Sequence, residues 1–184
     1  MNRSILKQMR VLLAVTVSVS VMLFGMSNGW AQQKQKVSYK VSAENSKYTQ
    51  QHVIDVGDVP GHQVRLYEIH RTFPKDAPMF EGVRLKEVWT RGYSDYTDLN
   101  GPSLVYNVYL LENGDKFYSR IDLVAQSVAN ADGSKKTTST SAGSLTGGTG
   151  KLRGIRGTIK AVTISDIKAG RNETQADFEY WIEK

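Results

Sequence analysis

Residues 147–162 read Gly-Gly-Thr-Gly-Lys-Leu-Arg-Gly-Ile-Arg-Gly-Thr-Ile-Lys-Ala-Val, with five glycines in the first eleven positions and a β-rich run behind them. That pattern specifies a tight turn feeding a strand, with Gly154 and Gly157 marking bulges or close backbone approaches inside it. The rest of the chain has to supply partners for such a strand.

It does so by alternation of strands and turns. Val37 to Val41, Tyr48 to Val56, His62 to Phe73, Gly82 to about Tyr96, Ser103 to Glu112, Lys116 to Ser127, Lys151 to Ile167 and Glu173 to Glu183 read as strands. Turn chemistry separates most of them. Gly57-Asp58-Val59-Pro60-Gly61 combines a fixed φ with a residue free to take φ > 0. Asp98 to Pro102, Asn130 to Gly133 and Lys168 to Asn172 are further turns, and Asn113-Gly114-Asp115 is the clearest hairpin signal. The Ser/Thr-rich run Lys135 to Thr146 reads as a two-sided polar edge strand, with a flexible loop as the alternative. No window past residue 31 sustains helical spacing, so little helix is expected. Regular meandering of this kind favours a closed antiparallel barrel, because closure removes exposed edges.

The glycine motif resembles the GGTG(K/R) signature near the C-terminal end of dirigent proteins and allene-oxide-cyclase-like barrels. The likeness covers Gly147 to Val162, about a tenth of the chain after residue 31. It implies an eight-stranded barrel with a hydrophobic cavity, self-association, and control of a coupling or cyclisation inside the barrel. The lead-in strand departs from the family, since Ser141 to Thr146 is polar where an apolar strand is usual. No acid or arginine of either family's active site aligns here, so none is carried over. Pattern and resemblance together predict an all-β fold: a single antiparallel eight-stranded β-barrel, closed or nearly closed, over residues 32–184.

Residues 1–31 are expected to be a signal peptide. Arg3, Lys7 and Arg10 precede an apolar run from Val11 to Met26, and Gly29-Trp30-Ala31 offers a cleavage site at Ala31. The run is shorter than the ~20 residues that span a bilayer, so the expected product is exported, periplasmic or secreted, with no stable membrane insertion. Removing it lowers the net charge from +6 to +3, with 21 basic against 18 acidic residues. That is an ordinary surface and not a nucleic-acid footprint. The chain has no cysteine, which excludes disulfides, thiol nucleophiles and thiolate metal sites.

The familiar reaction motifs fail. A dinucleotide fingerprint would need glycine at Arg153, and a phosphate loop would need Gly and Ser/Thr where Leu145 and Leu152 stand. His52, His62 and His70 lack metal-helix spacing, and no G-x-S-x-G elbow occurs. No metal and no cofactor is expected.

What remains is a set of polar residues in phase with apolar ones. Glu68 and His70 share a face with Val64 and Leu66, while Glu87, Arg91 and Tyr93 share one with Val83, Leu85 and Trp89. Taken as an interior wall, Glu68, His70, Glu87, Trp89, Arg91 and Tyr93 form a candidate ligand pocket, with Glu87 as acid or base and Arg91 stabilising negative charge. Two other readings stay open: a self-satisfied Glu87–Arg91 pair, or a reversed phase in which one bulge turns the whole set to water. In the last strand Ala176, Phe178, Tyr180 and Ile182 alternate with polar positions, and Trp181 stands out as an exposed tryptophan suited to covering a neighbouring strand or to a subunit contact. Across the Asn113-Gly114 hairpin, Arg120 and Asp122 are expected to point away from the apolar layer of Phe117, Ile121 and Leu123.

The expected function is an exported barrel binding an apolar or aromatic small molecule, assembled as a homo-oligomer (dimer or trimer). A dirigent- or cyclase-like enzyme guiding a cyclisation or isomerisation is one alternative. A structural protein working through its outer surface is the other.

Overall fold

Ten strands and two single-turn 3-10 helices account for the regular structure in the computed structural model, which describes residues 33–166 and 171–183. The strands are β1 (Gln35–Val41), β2 (Ser46–Asp55), β3 (His62–Thr72), β4 (Met79–Phe80), β5 (Val83–Thr97), β6 (Gly101–Leu111), β7 (Lys116–Ala129), β8 (Lys135–Gly148), β9 (Ile155–Asp166) and β10 (Arg171–Ile182). The expected signal segment and most of the turn near residue 170 lie outside the described residues.

All strands join one antiparallel sheet in the order β1-β10-β9-β8-β7-β6-β5-β3-β2, with β4 added beside β5. The path from β2 to β10 is a meander, as the turn chemistry predicts. β1 then crosses to pair with β10, from Gln35 opposite Tyr180 to Val41 opposite Thr174. The expected antiparallel all-β sheet is present, but the expected eight-stranded, closed or nearly closed barrel is corrected. The described residues hold ten strands, and the end strands β1 and β2, although consecutive in sequence, are not hydrogen-bonded to each other, so the sheet is not closed. The turn at Ala43–Asn45 joins them across this gap.

The sheet nevertheless curls on itself, because residues from distant strands meet inside it. Phe80 of β4 packs against Phe117 of β7, Phe178 of β10 and Tyr180 of β10, at ring-centre separations of 4.7, 5.3 and 5.6 Å. Tyr109 stacks on Phe117 at 4.2 Å. Leu85, Leu111, Leu152 and Ile155 are fully buried in the same core cluster. This aromatic plug fills one part of the interior.

The glycine motif divides into a turn and a strand. The backbone takes a 3-10 turn at Gly150–Leu152, and β9 begins at Ile155, so Gly154 precedes the strand and does not interrupt it. Gly157 lies within β9 at φ 146°, where a Cβ would collide with the carbonyl oxygen of Glu179 and the Cα of Tyr180 on β10. Close strand approach is thus what this glycine permits. The Asn113-Gly114 hairpin forms as expected, with Gly114 at φ 87° and the Leu111 amide donating to the Asp115 carbonyl at 2.9 Å.

β8 corrects another expectation. It is a strand, but not an edge: it pairs with β7 from Lys135 to Gly148 and with β9 from Lys136 to Ser144. Its polarity therefore needs an explanation from the interior. Trp181 is half-buried, not exposed, and the Lys34 ammonium lies 5.8 Å from its ring centre.

Candidate functional site: the interior cavity

Beside the aromatic plug the interior is hollow. A cavity of about 560 Å³ is lined by side chains from every strand except β4. Its inward positions are the odd residues of β3, β6, β7, β8 and β9 and the even residues of β5 and β10. The chemistry of the wall changes around the sheet. Val88, Val105, Ile121, Ile159 and Ala176 make an apolar floor. Thr137, Ser139 and Ser141 of β8 face Thr163 and Ser165 of β9 and Thr174 of β10 to make a hydroxyl wall. Alternation explains the Ser/Thr run, since every second hydroxyl of β8 is directed to the cavity.

Five tyrosines line the cavity: Tyr39, Tyr48, Tyr67, Tyr96 and Tyr109. Burial pushes the Tyr39 and Tyr96 phenols up to about 12 and raises Tyr67 and Tyr109 as well, so these four remain neutral hydrogen-bonding groups near pH 7. Tyr67 reaches inward across Gly92, its register partner on β5, where any Cβ would occupy the phenol ring. Its hydroxyl lies 3.2 Å from Ser103 Oγ.

A hydrogen-bonded chain crosses the wall from β3 to β7. Arg71 donates to Thr90 Oγ1 at 2.6 Å, and Thr90 donates to Asn107 Oδ1 at 2.6 Å. Asn107 donates to Ser119 Oγ at 3.1 Å, and Tyr109 OH is 3.1 Å from the same oxygen. Thr90, Asn107 and Ser119 are buried, and their mutual bonds meet the requirement that buried polar groups be paired.

Glu68, His70, Glu87, Trp89, Arg91 and Tyr93 do come together, on the convex face of β3 and β5 and not in the cavity. The interior-wall placement is thereby corrected. On β3 the odd residues take the inner face, which leaves Glu68 and His70 outside. For Glu87, Trp89, Arg91 and Tyr93 the cause is one residue. Between β5 and β6, Leu85 pairs with Leu111 and Glu87 with Leu110, leaving Lys86 as an extra residue in a bulge. Leu85 points inward, but beyond the bulge the phase reverses and Val88, Thr90 and Ser94 take the inner face.

On the outside these residues satisfy one another. Arg91 Nη2 lies 2.8 Å from Glu68 Oε2, across register-paired positions, and Thr49 donates to Glu68 at 2.7 Å. His70 Nε2 is 2.8 Å from Glu87 Oε2, and Trp89 Nε1 donates to Glu87 Oε1 at 3.2 Å. The His70 ring stacks on Trp89 at 4.1 Å with a 14° tilt, and the Arg91 guanidinium lies 5.9 Å from the Trp89 ring centre. Partial burial pushes the Glu87 carboxyl up, but the hydrogen bonds from His70 and Trp89 outweigh it and hold the pKa below its ordinary value. Tyr93 lies exposed between Leu66 and Leu104. Arg120 and Asp122 point outward, as the hairpin pattern predicts.

The residues missed by pattern reading are Arg65 and Arg71. Both lie on β3 at odd positions, interleaved with Tyr67 and Ile69, and both line the cavity. The available signal was the alternation Arg65-Leu66-Tyr67-Glu68-Ile69-His70-Arg71, which is equally mixed on both faces.

No metal-capable cluster of His, Asp and Glu occurs among the described residues. Comparison with protein-family models and with curated protein sequences returns no match.

Proposed function

We propose that this chain is an exported binding protein that holds an apolar or aromatic small molecule inside its curled sheet, related to the dirigent and allene-oxide-cyclase-like barrels. The observation that carries this reading is the 560 Å³ cavity, whose aliphatic floor and tyrosine walls suit a ligand of drug-like size. Ligand pockets of this kind typically occupy about 300–1,000 Å³. Binding is favoured over catalysis by what the wall contains. Acid–base chemistry near neutral pH most often uses a histidine or a carboxylate, and the cavity lining includes no Asp, Glu or His among the described residues, while burial raises the pKa of Tyr39, Tyr67, Tyr96 and Tyr109 and keeps those phenols neutral. A dimer or trimer goes with this reading. The convex face offers Ile54, Leu66, Tyr93, Tyr106 and Val124 as exposed apolar side chains for such a contact.

Native mass spectrometry of residues 32–184, purified gently from the native host, tests the proposal. Extra mass that is lost on denaturation supports it, and its formula identifies the ligand. A clean apo mass, together with failure to retain any added aromatic probe, refutes it.

A further inference from the structure

Arg65 and Arg71 bring two positive charges to a cavity that receives no negative one. All 18 Asp and Glu of the chain fall within the described residues, and none of them lines the cavity. The third basic group there, Lys135, is neutralised by its ion pair with Asp98 at the rim. Arg65 and Arg71 have no carboxylate within ion-pair distance among the described residues, and the Nε of each is buried without a hydrogen-bond partner. Arg71 spends one terminal nitrogen on Thr90. A guanidinium carries five N–H donors in a planar fork, so most of these donors have no protein partner.

Such an arrangement is costly in an empty protein and useful in a loaded one. Desolvating a charge without a counter-charge is unfavourable, and buried charges are normally paired. Here the two arginines flank Tyr67 on the same face of β3, and both lie near enough to its hydroxyl to favour the phenolate electrostatically. Tyr96 is likewise within reach of Arg65, and Tyr39 and Tyr109 within reach of Arg71. Neutral phenols and two guanidiniums are together a donor-rich lining, complementary to an oxyanion and not to a cation.

Building on the small-molecule reading above, we propose that the ligand is an organic anion. Its apolar or aromatic body rests on the Val88–Val105–Ile121–Ile159 floor, and its carboxylate, sulfonate or phosphate-type group is held by Arg65 and Arg71 beside Tyr67.

Two fluorescent probes with one body separate the claims: 8-anilinonaphthalene-1-sulfonate, and N-phenyl-1-naphthylamine, which lacks the sulfonate. The anionic probe is expected to bind residues 32–184 at least tenfold more tightly than the neutral one. Arg65→Gln and Arg71→Gln should each weaken the anionic probe severalfold and leave the neutral probe unchanged, while Arg91→Gln on the convex face affects neither. Ser139→Trp, which fills the cavity, should remove both. Equal affinity for the two probes, with no response to either arginine substitution, overturns the anion assignment and leaves the small-molecule reading standing. Binding of neither probe, or binding that survives Ser139→Trp, overturns that reading and the anion assignment with it. If Arg71→Gln fails to fold by circular dichroism, the wild-type probe ratio and Arg65→Gln decide the outcome.

Discussion

Removing Phe80 tests whether the aromatic plug is what divides the interior into a solid core and a cavity. Phe80 sits on a two-residue strand, fully buried, with Phe117, Phe178 and Tyr180 around it at 4.7–5.6 Å. Phe80→Ala deletes the ring and leaves a void bordered by three other rings, which the paired strands β7 and β10 cannot close by relaxing. Deletions of this kind cost about 3–5 kcal/mol, of which each lost aromatic pair contributes roughly 0.5–1.5. Met79, the other residue of the same strand, is 53% exposed. Met79→Ala should therefore change stability by no more than about 0.5 kcal/mol. Urea unfolding of residues 32–184, followed by tryptophan fluorescence, reads both, with an unchanged slope as the sign that the unfolded state is comparable. A loss below about 1.5 kcal/mol for Phe80→Ala, or equal losses for the two variants, would show that β4 does not close the core.

Two further predictions concern the charged groups. His62 lies between Asp58 and Asp95, at 2.6 and 2.7 Å, and hydrogen bonds first to Asp95 and then to Asp58 raise its pKa above 6.5. Its contribution to stability is complete below the unfolded value near 6.5 and disappears as pH rises through the raised folded value. The hydrogen bond from His62 lowers the Asp58 pKa, so that group's contribution is present above the unfolded carboxylate value and fades as pH falls through the lowered one. An NMR titration should place His62 above 6.5 and lower in Asp95→Asn; a wild-type value at or below 6.5 rules the arrangement out. Glu87→Gln should leave probe binding within about twofold and stability within about 1 kcal/mol, because its partners His70 and Trp89 lie on the convex face. A loss of binding comparable to that of Arg71→Gln would return the site to the outer wall.

How much was legible in the sequence differs between backbone and face. Strand identities from β1 to β10 follow from local signals, and all but β4 are recognisable. Met79–Phe80 is only two residues long, flanked by Pro78 and Gly82, and nothing local distinguishes it from a loop. Faces are another matter. A period of two carries no information about which side is inside when both sides hold similar residues, as they do on β3. One extra residue at Lys86 then reversed the assignment for Glu87, Trp89, Arg91 and Tyr93 together.

Sequence alone determined that this chain is built from strands, where its hairpins turn, and that Gly154 and Gly157 mark bulges or close backbone approaches, because turn chemistry and steric limits act over a few residues. Tertiary structure decided the rest. Pairing of β8 on both sides turned a polar run into a cavity wall, and the absence of a ladder between β1 and β2 left the curled sheet unsealed. The bulge at Lys86 put Glu87 outside, while the phase of β3 put Glu68 outside and the two arginines within. These outcomes depend on register between strands far apart in sequence, which is set by the packing of whole faces and not by any one segment's preference.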